Sequence, residues 1–88
     1  MESNRPERRR APRTRTLKGA TMVFNNGNSV IDCVVRDLTH LGARLRVEGA
    51  MMLPDRFRLV IGHDEGHQEH EVTVIWRSAS DLGVSFRQ

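Results

Sequence analysis

Gly42-Ala43-Arg44-Leu45-Arg46-Val47-Glu48 alternates apolar and charged side chains one residue at a time. A period of two puts Ala43, Leu45 and Val47 on one face and Arg44, Arg46 and Glu48 on the other, the pattern of a strand with one buried face. Glu71-Val72-Thr73-Val74-Ile75-Trp76-Arg77 reads the same way, with Val72, Val74 and Trp76 expected inward. Phe57, Leu59 and Ile61 repeat it over residues 56–61, and Val84 and Phe86 repeat it near residue 88. Residues 16–24 and 29–37 form two further strands, the second burying Ile31, Cys33 and Val35.

Turn chemistry separates these runs. Asn25-Asn26-Gly27-Asn28 is a hairpin signal, because Asn and Gly tolerate positive φ. Leu53-Pro54-Asp55 turns the chain into the next strand, and residues 63–68 and 78–82 supply two more loops. Six short strands at regular spacing indicate an all-β sandwich or barrel, and closure would hide the strand edges. The expected interior includes Val35, Leu45, Val74, Trp76 and Phe86, with no helix and no internal repeat.

A chain of 88 residues makes one domain with a modest core and leaves no room for a cleft between two domains. The single cysteine, Cys33, excludes an internal disulfide and suits a reducing cytosol. The start, MESNRPERRR, carries no apolar stretch of the kind a signal peptide needs, and no apolar run is long enough to span a membrane. The protein is therefore expected in the cytoplasm, without membrane insertion.

The net charge is only +3, but it is unevenly distributed. Arg5, Arg8, Arg9, Arg10, Arg13 and Arg15 crowd residues 1–15, where Pro6 and Pro12 interrupt any helix and no hydrophobic period exists. This divides the chain into a flexible basic arm, residues 1–15, and a folded body, residues 16–88. With nothing apolar to bury, residues 1–12 are expected to be mobile until an anionic partner is found.

Three groups of residues could carry chemistry. His63, His67 and His70 have acidic neighbours, but Gly66 and the flanking strand pattern argue for a polar hairpin tip, so no metal site is expected. Asp37-Leu38-Thr39-His40-Leu41-Gly42 joins two strands. Within it, Asp37 and Thr39 can cap the turn, and Gly42 can adopt a backbone conformation denied to other residues. The same Asp37 and Thr39 can also offer an acceptor and a hydroxyl to a ligand. Arg9-Arg10-Ala11-Pro12-Arg13 is the third group. Guanidinium pairs bidentately with phosphate and with guanine O6 and N7, whereas a bare basic tail would only aid solubility.

An Arg-x-x-x-Arg arm, one hairpin, and then an Asp-x-Ser-x-x-Gly motif is the order found in the PilZ family, and this sequence resembles that family over nearly its whole length. Arg9 and Arg13 match the arginine pair, and Asp37, Thr39 and Gly42 match the second motif. Ile75-Trp76-Arg77 and Leu82-Gly83-Val84-Ser85-Phe86 resemble the family's last two strands. The resemblance implies a six-stranded antiparallel β-barrel that binds cyclic di-GMP, with no cofactor. The implied ligand-binding residues are Arg9, Arg10, Arg13, Asp37, Thr39 and Gly42. Thr39 replaces the usual Ser, keeping the hydroxyl but restricting χ1. The C-terminal helix of many members is not expected within these residues, so a barrel end would be open or covered by a second subunit in a homodimer.

The reading is a receptor whose arm orders over cyclic di-GMP and so signals to a downstream protein partner. One alternative is a PilZ-like adaptor that has lost ligand binding. Another is a small nucleic-acid binder; the assignment of Phe24, Phe57, Trp76 and Phe86 to the core argues against it, so no DNA or RNA is expected. No nucleophile, base and orienter recur together, so an enzyme is not expected.

Overall fold

A computed structural model of the chain describes residues 14–62 and 66–87. It contains six strands, β1 (Thr14–Phe24), β2 (Ser29–Leu38), β3 (Gly42–Arg46), β4 (Arg56–Ile61), β5 (Gln68–Arg77) and β6 (Asp81–Phe86). They close into an antiparallel barrel in the order β1-β2-β3-β6-β5-β4. The one helical piece among the described residues is a single 3-10 turn, Ala50–Met52. The expected mobility of residues 1–12 lies outside the described residues, as does His63.

The period-two reading holds where strands run without interruption. Val35, Leu45, Leu59, Val72 and Leu82 are fully buried, with Phe57, Ile61, Val47 and Cys33 beside them. Val74 and Phe86, expected inside, are half-buried and pack against this cluster. Asn25, Asn26 and Gly27 all take positive φ, as the hairpin signal requires. Strand ends differ from expectation by a few residues. β1 starts at Thr14 instead of residue 16, and β5 starts at Gln68 instead of residue 71.

Trp76 departs from expectation. It is 45% exposed and lies on the outside of the barrel. The cause is a bulge in β5: Val74 pairs with Val84 but Trp76 pairs with Gly83, so Ile75 is an extra residue that reverses the alternation beyond it. The reversal also redirects Arg77, whose Nη1 donates to the carbonyls of Ala50 and Leu53 at 3.2 and 2.7 Å and whose Nη2 donates to Asp55 at 2.6 Å. Arg77 thereby ties the 3-10 turn to the end of β5.

A second bulge sits in β2. Val35 pairs with Leu45 and Asp37 with Arg44, leaving Arg36 as the extra residue. Residues 31, 33, 35 and 37 would otherwise share the inner face, and the bulge removes Asp37 from it. An ionised carboxylate is thus kept out of an apolar interior that it could enter only at high cost.

The buried thiol of Cys33 yields one expected outcome. Burial, with a smaller contribution from the charge of Asp32, pushes its pKa up to about 12. The reactive species is the thiolate, so Cys33 should stay inert to an aromatic disulfide reagent at mildly alkaline pH and react quickly in denaturant. Rapid labelling of the native protein would show that the β2 face around Cys33 is open.

Candidate functional site

The two bulges flank the β3–β6 seam, and together they align one row of residues across four strands. Asp37 of β2 pairs with Arg44 of β3, Arg44 with Gly83 of β6, and Gly83 with Trp76 of β5. This row floors an outer groove of about 360 Å³, rimmed also by Thr39, Leu41, Gly42 and Ile75. The groove therefore combines an acid, a guanidinium and an indole with backbone that no Cβ covers at Gly83.

Gly83 makes room for the tryptophan. A Cβ added there would lie 2.0 Å from the indole Nε1 and 2.2 Å from Cε2, so the ring rests directly on the strand backbone. Alternation hides this placement, although the sequence carries two signs of it. Val74-Ile75-Trp76 is an unbroken apolar run where period two requires a polar residue, and a glycine inside a strand marks a close approach.

Asp37 is only 6% exposed, and its Oδ2 accepts from Arg44 Nε at 2.6 Å. Arg44 Nη1 also lies 3.7 Å from Asp81 Oδ2, and Arg46 Nε lies 3.3 Å from Asp81 Oδ1. The acid thus fixes a guanidinium at the groove instead of leaving it to wander in solvent. Charge-assisted contacts of this length are among the stronger hydrogen bonds.

Thr39 shapes the loop between β2 and β3. Its Oγ1 accepts from the backbone N–H groups of Leu41 and Gly42 at 2.9 and 3.1 Å and donates to the Gly42 carbonyl at 3.3 Å. Its own N–H donates to the same carbonyl at 2.9 Å. The hydroxyl is thereby engaged with its own loop, the turn-capping chemistry available to a Thr at this place.

Gly42 does not have the unusual backbone conformation expected of it, for its φ is not among the positive ones. Its requirement is steric. A Cβ would sit 2.1 Å from the Val84 carbonyl oxygen and 3.1 Å from the Ser85 Cα, both of them backbone atoms. The structure thus brings together Asp37, Thr39 and Gly42, and adds Arg44 and Trp76, which the sequence motifs do not include. Arg9, Arg10 and Arg13 lie outside the described residues.

Of the three histidines, His63 lies outside the described residues, and His67 and His70 have other neighbours. His67 Nε2 lies 3.2 Å from Glu69, His70 Nε2 lies 3.0 Å from Gln68, and the His70 ring stacks on Phe86 with centroids 4.1 Å apart. Among the described residues no three or more of His, Cys, Asp and Glu come together as a group that could hold a metal ion. Nor is any helix among them long and apolar enough to cross a membrane.

The family model of the PilZ domain matches residues 7–88. The chain belongs to the PilZ domain family. The match takes in all five residues of the two motifs, and Arg10, as well as the barrel. Among solved structures, the PilZ domain of YcgR from Escherichia coli, in a structure with c-di-GMP, is similar at a TM-score of 0.71 and 17% identity. The alignment covers 91% of this chain and 78% of that one, a likeness of fold. No curated protein matches the sequence.

The close approach at Gly42 sets a direct expectation for this PilZ domain. Gly42→Ala forces a Cβ against immovable backbone, and overpacking of this kind costs about 1–3 kcal/mol. A denaturant titration should show a clearly lowered midpoint, whereas an unchanged midpoint would mean that β3 and β6 lie further apart.

Proposed function

We propose that this PilZ domain is a cytoplasmic cyclic di-GMP receptor, a binding module and not an enzyme, whose basic arm orders over the ligand and changes the surface offered to a downstream protein. The observation that carries the reading is the row Asp37–Arg44–Gly83–Trp76, which gathers the groups a guanine nucleotide needs. The presence of c-di-GMP in the structure of the YcgR PilZ domain supports the same ligand class.

The division of labour follows from chemistry. Arg44, steadied by Asp37, faces a phosphate or the O6 and N7 edge of guanine. Asp37 supplies a carboxylate for the N–H donors of guanine once Arg44 shifts toward the ligand. Trp76 and Ile75 offer an apolar wall for a purine, and base stacking on an aromatic ring contributes about 1–3 kcal/mol. Thr39 and Gly42 hold the loop and the seam in shape. Arg9, Arg10 and Arg13 close from the arm and neutralise the two phosphates, a step in which ordering of the arm costs part of the gross binding energy.

Calorimetric titration of cyclic di-GMP into wild type, Arg5→Ala, Arg13→Ala and Asp37→Ala separates a shaped site from a charged tail. Loss of a bidentate contact at Arg13 should cost roughly 1–3 kcal/mol, about a five- to 150-fold loss of affinity. Arg5→Ala, further out on the arm, should lose far less. Asp37→Ala should also weaken binding, although removing a negative charge would strengthen a purely electrostatic attraction. Equal small losses at Arg5 and Arg13 with tighter binding by Asp37→Ala would contradict the site, and a wild type that does not bind would favour the adaptor reading.

A further inference from the structure

A second groove, of about 410 Å³, opens between the β1–β2 turn and the start of β4. It shares no lining residue with the first. The first groove lies over the β3–β6 seam, and this one lies where the ends of β1 and β4 meet, lined also by Glu71 of β5 and by Arg87 just beyond β6.

Phe24 and Phe57 give it an apolar floor, and Arg56, Arg58 and Arg87 line it with Glu71 as the one acid. All four charged residues are exposed. Among the described residues, Arg56, Arg87 and Glu71 make no ion pair, and Arg58 reaches Glu69 only at 3.8 Å. These arginines do not stabilise the barrel by pairing, and strand register gathers them on one patch: Arg56 and Arg58 are two apart on β4, Arg58 stands opposite Glu71 across β4–β5, and the backbone N–H of Arg87 donates to the Glu71 carbonyl at 2.8 Å. The 25–27 turn, fixed by three successive positive φ values, adds two side-chain amides as further donors.

A free phosphate needs donors that converge on one point, usually with some burial. Here the cations are solvated and spread around an aromatic floor, a form suited to an extended chain that carries several carboxylates on apolar stems. Spread, complementary charge of this kind guides encounter and fixes partner choice. We propose that this arginine groove is the docking site for an acidic segment of a partner protein, separate from the Trp76 groove.

Fluorescence anisotropy with a labelled hexaglutamate peptide tests the proposal on the full chain, with circular dichroism confirming the fold of each variant. Arg56→Glu and Arg87→Glu should each weaken peptide binding at least ~fivefold, while Lys18→Glu, an exposed cation outside the groove, should change it less than ~twofold. Glu71→Gln should tighten binding, since it removes the one acid of the groove. Cyclic di-GMP affinity should be the same in all four variants. The proposal is overturned if the wild type does not bind the peptide, or if Lys18→Glu costs as much as Arg56→Glu. It is equally overturned if inorganic phosphate displaces the peptide at matched ionic strength, which would mark a small-anion site, or if cyclic di-GMP displaces it.

Discussion

The close contact of β3 with β6, and of β6 with the indole of Trp76, is the constraint on which the ligand face depends. Two absent Cβ atoms make it possible. At Gly42 the neighbouring Val84 carbonyl occupies the space a side chain would need, and at Gly83 the indole does. If either strand stood further off, Arg44 would lose its place in the row between Asp37 and Trp76. Two glycines with ordinary backbone angles thus matter here for the space they leave empty, and not for conformational freedom.

The bulges at Arg36 and Ile75 complete the arrangement. Each inserts one residue on one side of the seam, and each reverses the facing of the residues beyond it. One brings a carboxylate out of the interior, the other an indole. The polar residue gains a cation partner, and the aromatic gains a flat seat on backbone. A uniform barrel of the same sequence would have buried Asp37 among valines and left the groove with neither acid nor ring.

Most of the fold was legible because strands with one buried face write their facing into the sequence. Leu45, Phe57, Leu59, Ile61 and Val72 all stand where period two puts them. Asp37, Thr39 and Gly42 were legible as a motif, and the structure shows the physical job of two of them, a loop tied by a hydroxyl and a strand contact without a side chain. Trp76 and Arg44 were missed for one reason. Their roles depend on which residue of a neighbouring strand stands opposite, and pairing register across a bulge leaves only a faint local trace, here the apolar run 74–76 and an acid in phase with the core. The groove around Arg56 and Arg87 was equally hidden, since Arg87 joins Arg56 and Arg58 only when β5 pairs with both β4 and β6.

Trp76 is the one tryptophan of the chain, and its emission reports on the groove alone. Its fluorescence during a cyclic di-GMP titration is therefore the most direct measurement of ligand placement. Stacking of a guanine on the indole predicts saturable quenching whose midpoint matches the calorimetric affinity. Binding heat with no change in Trp76 emission would place the ligand elsewhere on the barrel and contradict the row Asp37–Arg44–Gly83–Trp76 as the site.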